Sequence, residues 1–478
     1  MSESLAKKLA AALASREERN IRRRLPDPAL SLSPSTPGSI SDLTTAPAIS
    51  PTPRPPHAAP VDFSSNDYLS LSTSPHLRAR VLSALNTSPS ILGSGGSRLL
   101  VYNHAHAALE ARLARTFRSP AALLFNSGFD ANAGFFACVP QTGDALLHDE
   151  AIHASVHDGA RASRIAPRML RPFAHNDIGA LRAALRALWG ECAALREGRS
   201  VVFVAVESVY SMDGTVAPLR AILDGMDEVF PAGNVHLVVD EAHATGLYGP
   251  GGRGMVALLG LEDRVLARLH TFGKALAALG AVLLTNTLIR DYLLNYARPL
   301  IYTTSLNNAA IIAASCSFDL LEDGTAERLA AQVLEHSTYL QERLRASLAA
   351  SSIPAHVLAL PARLQQQHQQ PSMAQPLTPI IPLLTPRARA LSAHLLAHGL
   401  NARPISWPTV PKGMDRVRVC LHAGNTRAEI DALINASIAW AAGIAQDERT
   451  WPEGDRTQIE EGVGGMGSSG CNLLESKL

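Results

Sequence analysis

The chain is 478 residues long and 46% hydrophobic, enough to fill a sizeable core in two or three domains, or in one large and one small lobe with tails. Its 43 basic and 42 acidic side chains nearly cancel, which gives no electrostatic pull toward nucleic acid or an anionic membrane. No uninterrupted apolar run approaches the roughly 18 residues of a membrane span, and five scattered cysteines without a C-x-x-C pair argue against a disulfide framework or zinc ribbon.

In chain order, residues 4–24 read as an amphipathic helix. Leu5, Leu9, Leu13, Ile21 and Leu25 mark one face, so residues 1–25 form an N-terminal helical segment. Glu3, Glu17 and Glu18 speak against an acid-poor mitochondrial presequence. Residues 26–60 hold ten prolines and few core-forming side chains, the composition of a linker. From Val61 to about residue 318, short apolar runs at 121–125, 144–148, 201–207, 235–240 and 280–285 alternate with helical patterns such as 178–189 and 219–229. That alternation predicts a large α/β domain with a mostly parallel sheet covered by helices. A smaller α+β domain follows over 319–445, with helices at 326–349 and 386–398 and strands at 378–384 and 416–421. The glutamine-rich run 365–370 reads as a surface insert, and the Gly/Ser-rich residues 446–478 as a flexible tail ending in Ser476-Lys477-Leu478.

Sheets of this kind bind ligands beyond the carboxyl ends of their strands, where Glu207, Asp240, His243 and Lys274 all fall. Lys274 stands among small and apolar residues in His270-Thr271-Phe272-Gly273-Lys274-Ala275-Leu276, a costly place for an ammonium unless the amine is neutralised or covalently used. An aldehyde cofactor resolves that cost by Schiff-base formation, and Asp240 then serves a protonated ring nitrogen, which points to pyridoxal phosphate (PLP). His153 and His157 are four apart with Asp149 and Asp158 nearby, but no second ligand cluster accompanies them and no metal is expected.

Several motifs occur in a recognisable order. They begin with Asn66-Asp67-Tyr68-Leu69, Gly93-Ser94-Gly95-Gly96-Ser97-Arg98, Ser127-Gly128-Phe129-Asp130-Ala131-Asn132 and Ile152-His153-Ala154-Ser155. Glu207-Ser208-Val209-Tyr210-Ser211-Met212-Asp213-Gly214, Asp240-Glu241-Ala242-His243, Thr271-Phe272-Gly273-Lys274 and Pro408-Thr409-Val410-Pro411 follow. Together they resemble the α-oxoamine synthases, PLP enzymes of the fold-type I aminotransferase architecture, over about residues 61–440. The resemblance implies that Lys274 is the Schiff-base lysine and proton shuttle, that Asp240 binds the pyridine nitrogen, and that His153 stacks on the ring. It places His243 and Ser211 near the cofactor's phenolic oxygen. Ser127, Gly128, Phe129 and Thr271 fall at its phosphate, with Thr303 and Thr304 reaching the phosphate of a neighbouring subunit. Arg418 matches the arginine that clamps an amino-acid carboxylate, with Arg416 as an alternate on the opposite strand face, and Asn66 supports the carboxylate or the acyl substrate.

The family condenses an amino acid with an acyl-CoA or similar thioester and releases CO2. Its implied partners are these small molecules and a second copy of the chain, in a homodimer with shared active sites. The N-terminal helix and the absence of a membrane segment favour the oxononanoate synthases. Other family members, a conventional aminotransferase and a non-catalytic partner subunit are the alternatives, and subunits of the last kind typically lack the lysine. Departures from the family pattern, namely Ser97-Arg98 closing the glycine loop, Ala275-Leu276-Ala277-Ala278 after the lysine and the longer spacing before Pro408, bear on acyl-chain specificity. The terminal Ser476-Lys477-Leu478 matches the address read by the peroxisomal import receptor, so peroxisomal residence is expected, with the cytoplasm as the alternative.

Overall fold

The computed structural model describes residues 2–19, 21–23, 59–100, 103–366 and 376–450. Most of the linker, most of the glutamine-rich run and the terminal tripeptide lie outside the described residues.

Seven strands form the central sheet: β1 (Ala121–Phe125), β2 (Ala145–Asp149), β3 (Leu170–Phe173), β4 (Val202–Glu207), β5 (Val235–Asp240), β6 (Val265–Thr271) and β7 (Ala281–Thr285). Their order is β1-β7-β6-β5-β4-β2-β3. The five strands β6-β5-β4-β2-β3 are parallel, and β7 runs antiparallel to both β6 and β1. The five strands read from the sequence are present with ends shifted by at most one residue. Apolar runs such as Val235–Asp240 are buried almost throughout because helices cover both faces of the sheet.

Two strands escaped the sequence pattern. β3 is a short edge strand whose Arg171 and Pro172 break any apolar alternation. β6 carries Arg268 and His270 where a core strand should be apolar, yet both are buried. Arg268 is accommodated by donating to the Phe117 carbonyl at 2.9 Å, and the Thr245 hydroxyl lies 3.0 Å from His270 Nδ1.

The N-terminal helix α1 (Glu3–Glu18) stops six residues short of the predicted end. The Ile21 N–H turns back onto the Arg16 carbonyl at 2.8 Å, which takes Ile21 off the leucine stripe. Helices α2 (Gly128–Cys138) and α3 (Ala154–Ala162) follow β1 and β2 and pack on each other. The C-terminal part builds a three-stranded antiparallel sheet from β8 (Ile380–Leu384), β9 (Arg403–Ile405) and β10 (Arg416–Cys420), in the order β9-β10-β8. Around it lie α4 (Thr325–Ala350), α5 (Ala388–Ala397) and α6 (Arg427–Thr450). Among the described residues α6 is the one helix long and apolar enough to cross a membrane. It places Ile430, Leu433, Ile434 and Ala441 in the core and packs on α4 and α5, as a core helix does.

The first folded segment joins this C-terminal part. Val61–Asp62 pairs in parallel with Leu400–Asn401, and the Cys420 N–H donates to the Phe63 carbonyl at 2.8 Å. That pairing carries Asn66 and Tyr68 to the strand that bears Arg418.

Candidate active site

The sheet order sets the site. β4, β5 and β6 are adjacent and parallel, with Glu207 in register with Asp240 and Asp240 with Leu269. Their carboxyl ends therefore open side by side. Lys274 lies three residues past the end of β6, in the loop that turns back into antiparallel β7. The Ala277 N–H bonds the Lys274 carbonyl at 3.0 Å, and Ala278 bonds Phe272 at 2.8 Å, so the loop is closed and short of slack. Burial lowers the pKa of the Lys274 amine, against the raising effect of Asp240 and Glu207, and Arg418 lowers it further. The amine is thus easier to deprotonate than a free lysine, as a nucleophile requires.

Asp240 is nearly buried and both its oxygens are engaged. One accepts the Ala242 N–H at 2.9 Å, the other the Asn132 side-chain amide at 2.8 Å. Asn132 also donates to Ser155 Oγ at 3.1 Å, and Ser155 Oγ lies 2.7 Å from His153 Nδ1. His153 is the N-cap of α3, where its Nδ1 accepts the Ser155 N–H at 3.2 Å. Its ring meets Phe129 edge-on at a centroid distance of 6.3 Å.

Phe129 belongs to the first turn of α2, which Ser127 caps by accepting the Asp130 N–H at 3.1 Å. The first N–H groups of a helix have no partner within it and carry roughly half a positive charge, a ready receptor for phosphate. Gly128 permits close approach. A Cβ added there would lie 3.4 Å from Thr271 Cβ, so the Thr271 hydroxyl faces the same helix start. Asn126, one residue before the cap, donates to the Thr304 carbonyl at 2.7 Å and to Thr303 Oγ1 at 3.4 Å. Both threonines are thereby tied to the start of α2 within one chain.

A second cluster lies close to Lys274. His243 is buried with its Nδ1 2.7 Å from the Tyr68 hydroxyl, which donates to Asn66 Oδ1 at 3.2 Å. Burial, together with Lys274, Arg418 and His153, pushes the His243 pKa well below the usual imidazole value, so it is neutral. Burial raises the Tyr68 pKa well above its usual value and keeps the phenol protonated. Arg418 donates to Ser211 O at 3.1 Å, Ser64 O at 3.2 Å and Asn66 Oδ1 at 3.3 Å, while its buried Nε has no hydrogen-bond partner among the described residues. The guanidinium is held by its neighbours with donor capacity in reserve.

Arg416 does not share this role. It lies on the same face of β10 as Arg418, as the two-residue period of a strand requires, and not on the opposite face. It is 2% exposed and committed to the Asp213 carboxylate and the Met414 carbonyl. Arg363 donates to the Asp213 backbone carbonyl, so two arginines strap the loop that carries Ser211. Gly214 completes that loop at φ +63°, and a Cβ there would run into the Ile380 carbonyl and sit 2.6 Å from Thr378 Oγ1. Gly214→Ala is expected to destabilise the protein by about 3 kcal/mol or more, because positive φ and a backbone clash act together. Thermal denaturation checks this, and a melting temperature unchanged from the parent would refute it.

These residues fit PLP on their donor set. An amine whose pKa burial lowers, a carboxylate fixed on two sides, a capped helix start beside a hydroxyl and an imidazole near both gather beyond the carboxyl ends of the strands. Ser127, Gly128, Phe129 and Thr271 would hold the phosphate, Asp240 the pyridine nitrogen, His153 the ring face and Lys274 the aldehyde carbon. Tyr68, Asn132 and Ser155 were missed by sequence reasoning. Each stands in a quoted motif beside an assigned residue, and Asn132 is one helical turn after Gly128 on the same face of α2.

Fold and site together define a fold-type I PLP-dependent transferase. The family model for aminotransferase class I and II matches residues 58–436, and the chain belongs to that family, in its α-oxoamine synthase branch of PLP-dependent acyltransferases. It is 45% identical to an 8-amino-7-oxononanoate synthase from Emericella nidulans over 80% of this chain and 89% of that protein. It is 37% identical to the aminoacyl transferase sphA of Aspergillus fumigatus over 78% of this chain and 79% of that one. A solved serine palmitoyltransferase carrying PLP superposes with a TM-score of 0.66 at 25% identity, covering 80% of this chain and 87% of that one.

Proposed function

We propose that the chain condenses L-alanine with pimeloyl-CoA to give 8-amino-7-oxononanoate, CoA and CO2, a step of biotin biosynthesis. The observation that carries this reading is Arg418. It is an arginine with an unpartnered buried Nε beside Lys274, placed to grip an amino-acid carboxylate. The 45% identity to the oxononanoate synthase supports the choice of substrates over the sphA-like alternative.

PLP, when bound, supplies the electron sink that makes an α-carbon of the amino acid acidic. Lys274 would hold the aldehyde carbon of the cofactor, and its amine, when free, would take the α-proton of the bound amino acid. Asp240, whose carboxylate Asn132 and the Ala242 N–H hold in place, would keep a proton on the pyridine nitrogen. Arg418 and Asn66 fix the substrate carboxylate. A carbon–carbon bond then forms between the α-carbon and the thioester carbonyl as the CoA thiolate leaves. Loss of the carboxylate as CO2 and return of a proton to the α-carbon complete the balance, with Lys274 as the proton donor.

A second reading, a serine- or glycine-using family member, draws on the likeness to sphA and to serine palmitoyltransferase. Release of CoA from a panel of acyl-CoAs crossed with alanine, glycine, serine and threonine separates the two. Alanine with pimeloyl-CoA is expected to give the highest kcat/KM, and a maximum for serine with long-chain acyl-CoA would replace the first reading by the second.

The working unit we infer is a homodimer. Ser305 and Ala309 bond back to Gly96 and Ile91, which brings the exposed Leu92, Leu100 and Tyr302 onto one side of the molecule near Thr303. A second copy would cover that apolar side. We likewise propose delivery to peroxisomes, for which the tripeptide Ser476-Lys477-Leu478 is the support, with the cytoplasm as the alternative.

A further inference from the structure

We propose that Asn132 and Ser155 are positioning residues that lock His153 in one tautomer, with its proton on Nε2, and that Asp240 dictates the choice. Nothing in the family roles assigned above requires either residue. The direction of each hydrogen bond can be fixed from one end. Asp240 accepts only, so the Asn132 atom 2.8 Å from it is the amide nitrogen, and the orientation of that amide is settled. The second hydrogen of the same nitrogen goes to Ser155 Oγ at 3.1 Å, which makes that oxygen an acceptor there. Ser155 then has one hydrogen left, and His153 Nδ1 lies 2.7 Å away to receive it. The Ser155 backbone N–H points at the same nitrogen from 3.2 Å. Two donors converge on Nδ1, so Nδ1 carries no proton and Nε2 does.

The relay is well protected. Ser155 is 0% exposed and Asn132 is 3% exposed, so the bonds from Asp240 through Asn132 to Ser155 are shielded from water and electrostatically stronger than in solvent, while the His153 ring at the outer end is exposed. Its polarity runs from the carboxylate outward and cannot reverse while Asp240 is ionised. The group that serves the pyridine nitrogen and the imidazole that faces the ring are therefore set by one chain of hydrogen bonds. The edge of His153 offered to an incoming substrate is a donor, suited to a carboxylate or thioester oxygen.

This inference rests on the reading that His153 faces cofactor and substrate, but its test needs neither substrate. Nitrogen NMR of the histidine-labelled holoenzyme, with His153 assigned by its loss in His153→Gln, reports which ring nitrogen bears the proton. A protonated Nε2 with an acceptor Nδ1 is expected, and a proton on Nδ1 overturns the proposal. Ser155→Ala removes one of the two donors. Its Nδ1 resonance is expected to move and kcat to fall about fivefold, with cofactor absorption unchanged. An unmoved Nδ1 resonance in that variant equally overturns it. Failure of the acyl-CoA panel would leave both outcomes readable.

Discussion

Lys274→Ala is expected to abolish turnover, by at least about a thousandfold, and to remove the visible absorption of a lysine-bound cofactor. The lysine has two tasks that no neighbour can assume. The site's remaining bases are unsuited to them: His243 is held neutral but buried against Tyr68, and His153 has its Nδ1 occupied by Ser155. The same substitution has an opposite effect on the cofactor-free fold. Burial of the amine is the largest influence on its pKa, which marks Lys274 as a group held in the structure at a cost. Alanine at this loop position removes that cost, so the cofactor-free variant should melt at the same temperature as the parent or above it. Absorption spectra, CoA release and thermal melts of the two proteins test both halves. An absorption band that survives the substitution would end the assignment of Lys274.

Asp240→Asn should lower kcat about a hundredfold, close to 2.7 kcal/mol of barrier, while the protein still binds PLP. A neutral amide cannot hold a proton on a pyridine nitrogen as a carboxylate does. The geometry adds a second penalty. Both Asp240 oxygens already accept, from Ala242 and from Asn132, so the new amino group must oppose one of these donors. If it turns toward Asn132, the hold on Ser155 and His153 is lost as well. Steady-state kinetics with bound cofactor confirmed by absorption is the check, and a kcat within threefold of the parent would show that Asp240 has no such role.

Much of this was legible in the residues. Alternating strands and helices are written as apolar runs of five or six residues, and the strand ends that carry Glu207 and Asp240 fell where the pattern placed them. Lys274 stood out because a charge among small apolar residues demands a reason. What could not be read was partnership across long separations. Nothing local says that Arg416 answers Asp213 while Arg418, two residues on, answers Ser211 and Asn66. Both are arginines on one strand face, and only the packing of the 208–214 loop against β10 tells them apart. Asn132 and Ser155 were hidden for a different reason. Each is a small polar residue in a helix, a position that a helix tolerates without any function, and only the approach of α2 to α3 and to the end of β5 gives them work. Arg268 and His270 misled in the reverse sense, since polar residues within β6 concealed a core strand.

The parallel pairing of Val61–Asp62 with Leu400–Asn401 bears on how the enzyme is born. Asn66 leaves the ribosome early, yet the guanidinium it meets lies 352 residues later. At ordinary elongation rates that interval is roughly 20–70 s. Through that time the large sheet can close around β5 and β6, but Tyr68 and Asn66 have no strand to dock on. The carboxylate grip is therefore the last part to mature, and a nascent chain halted before β10 would carry Lys274 and Asp240 without the means to hold an amino acid.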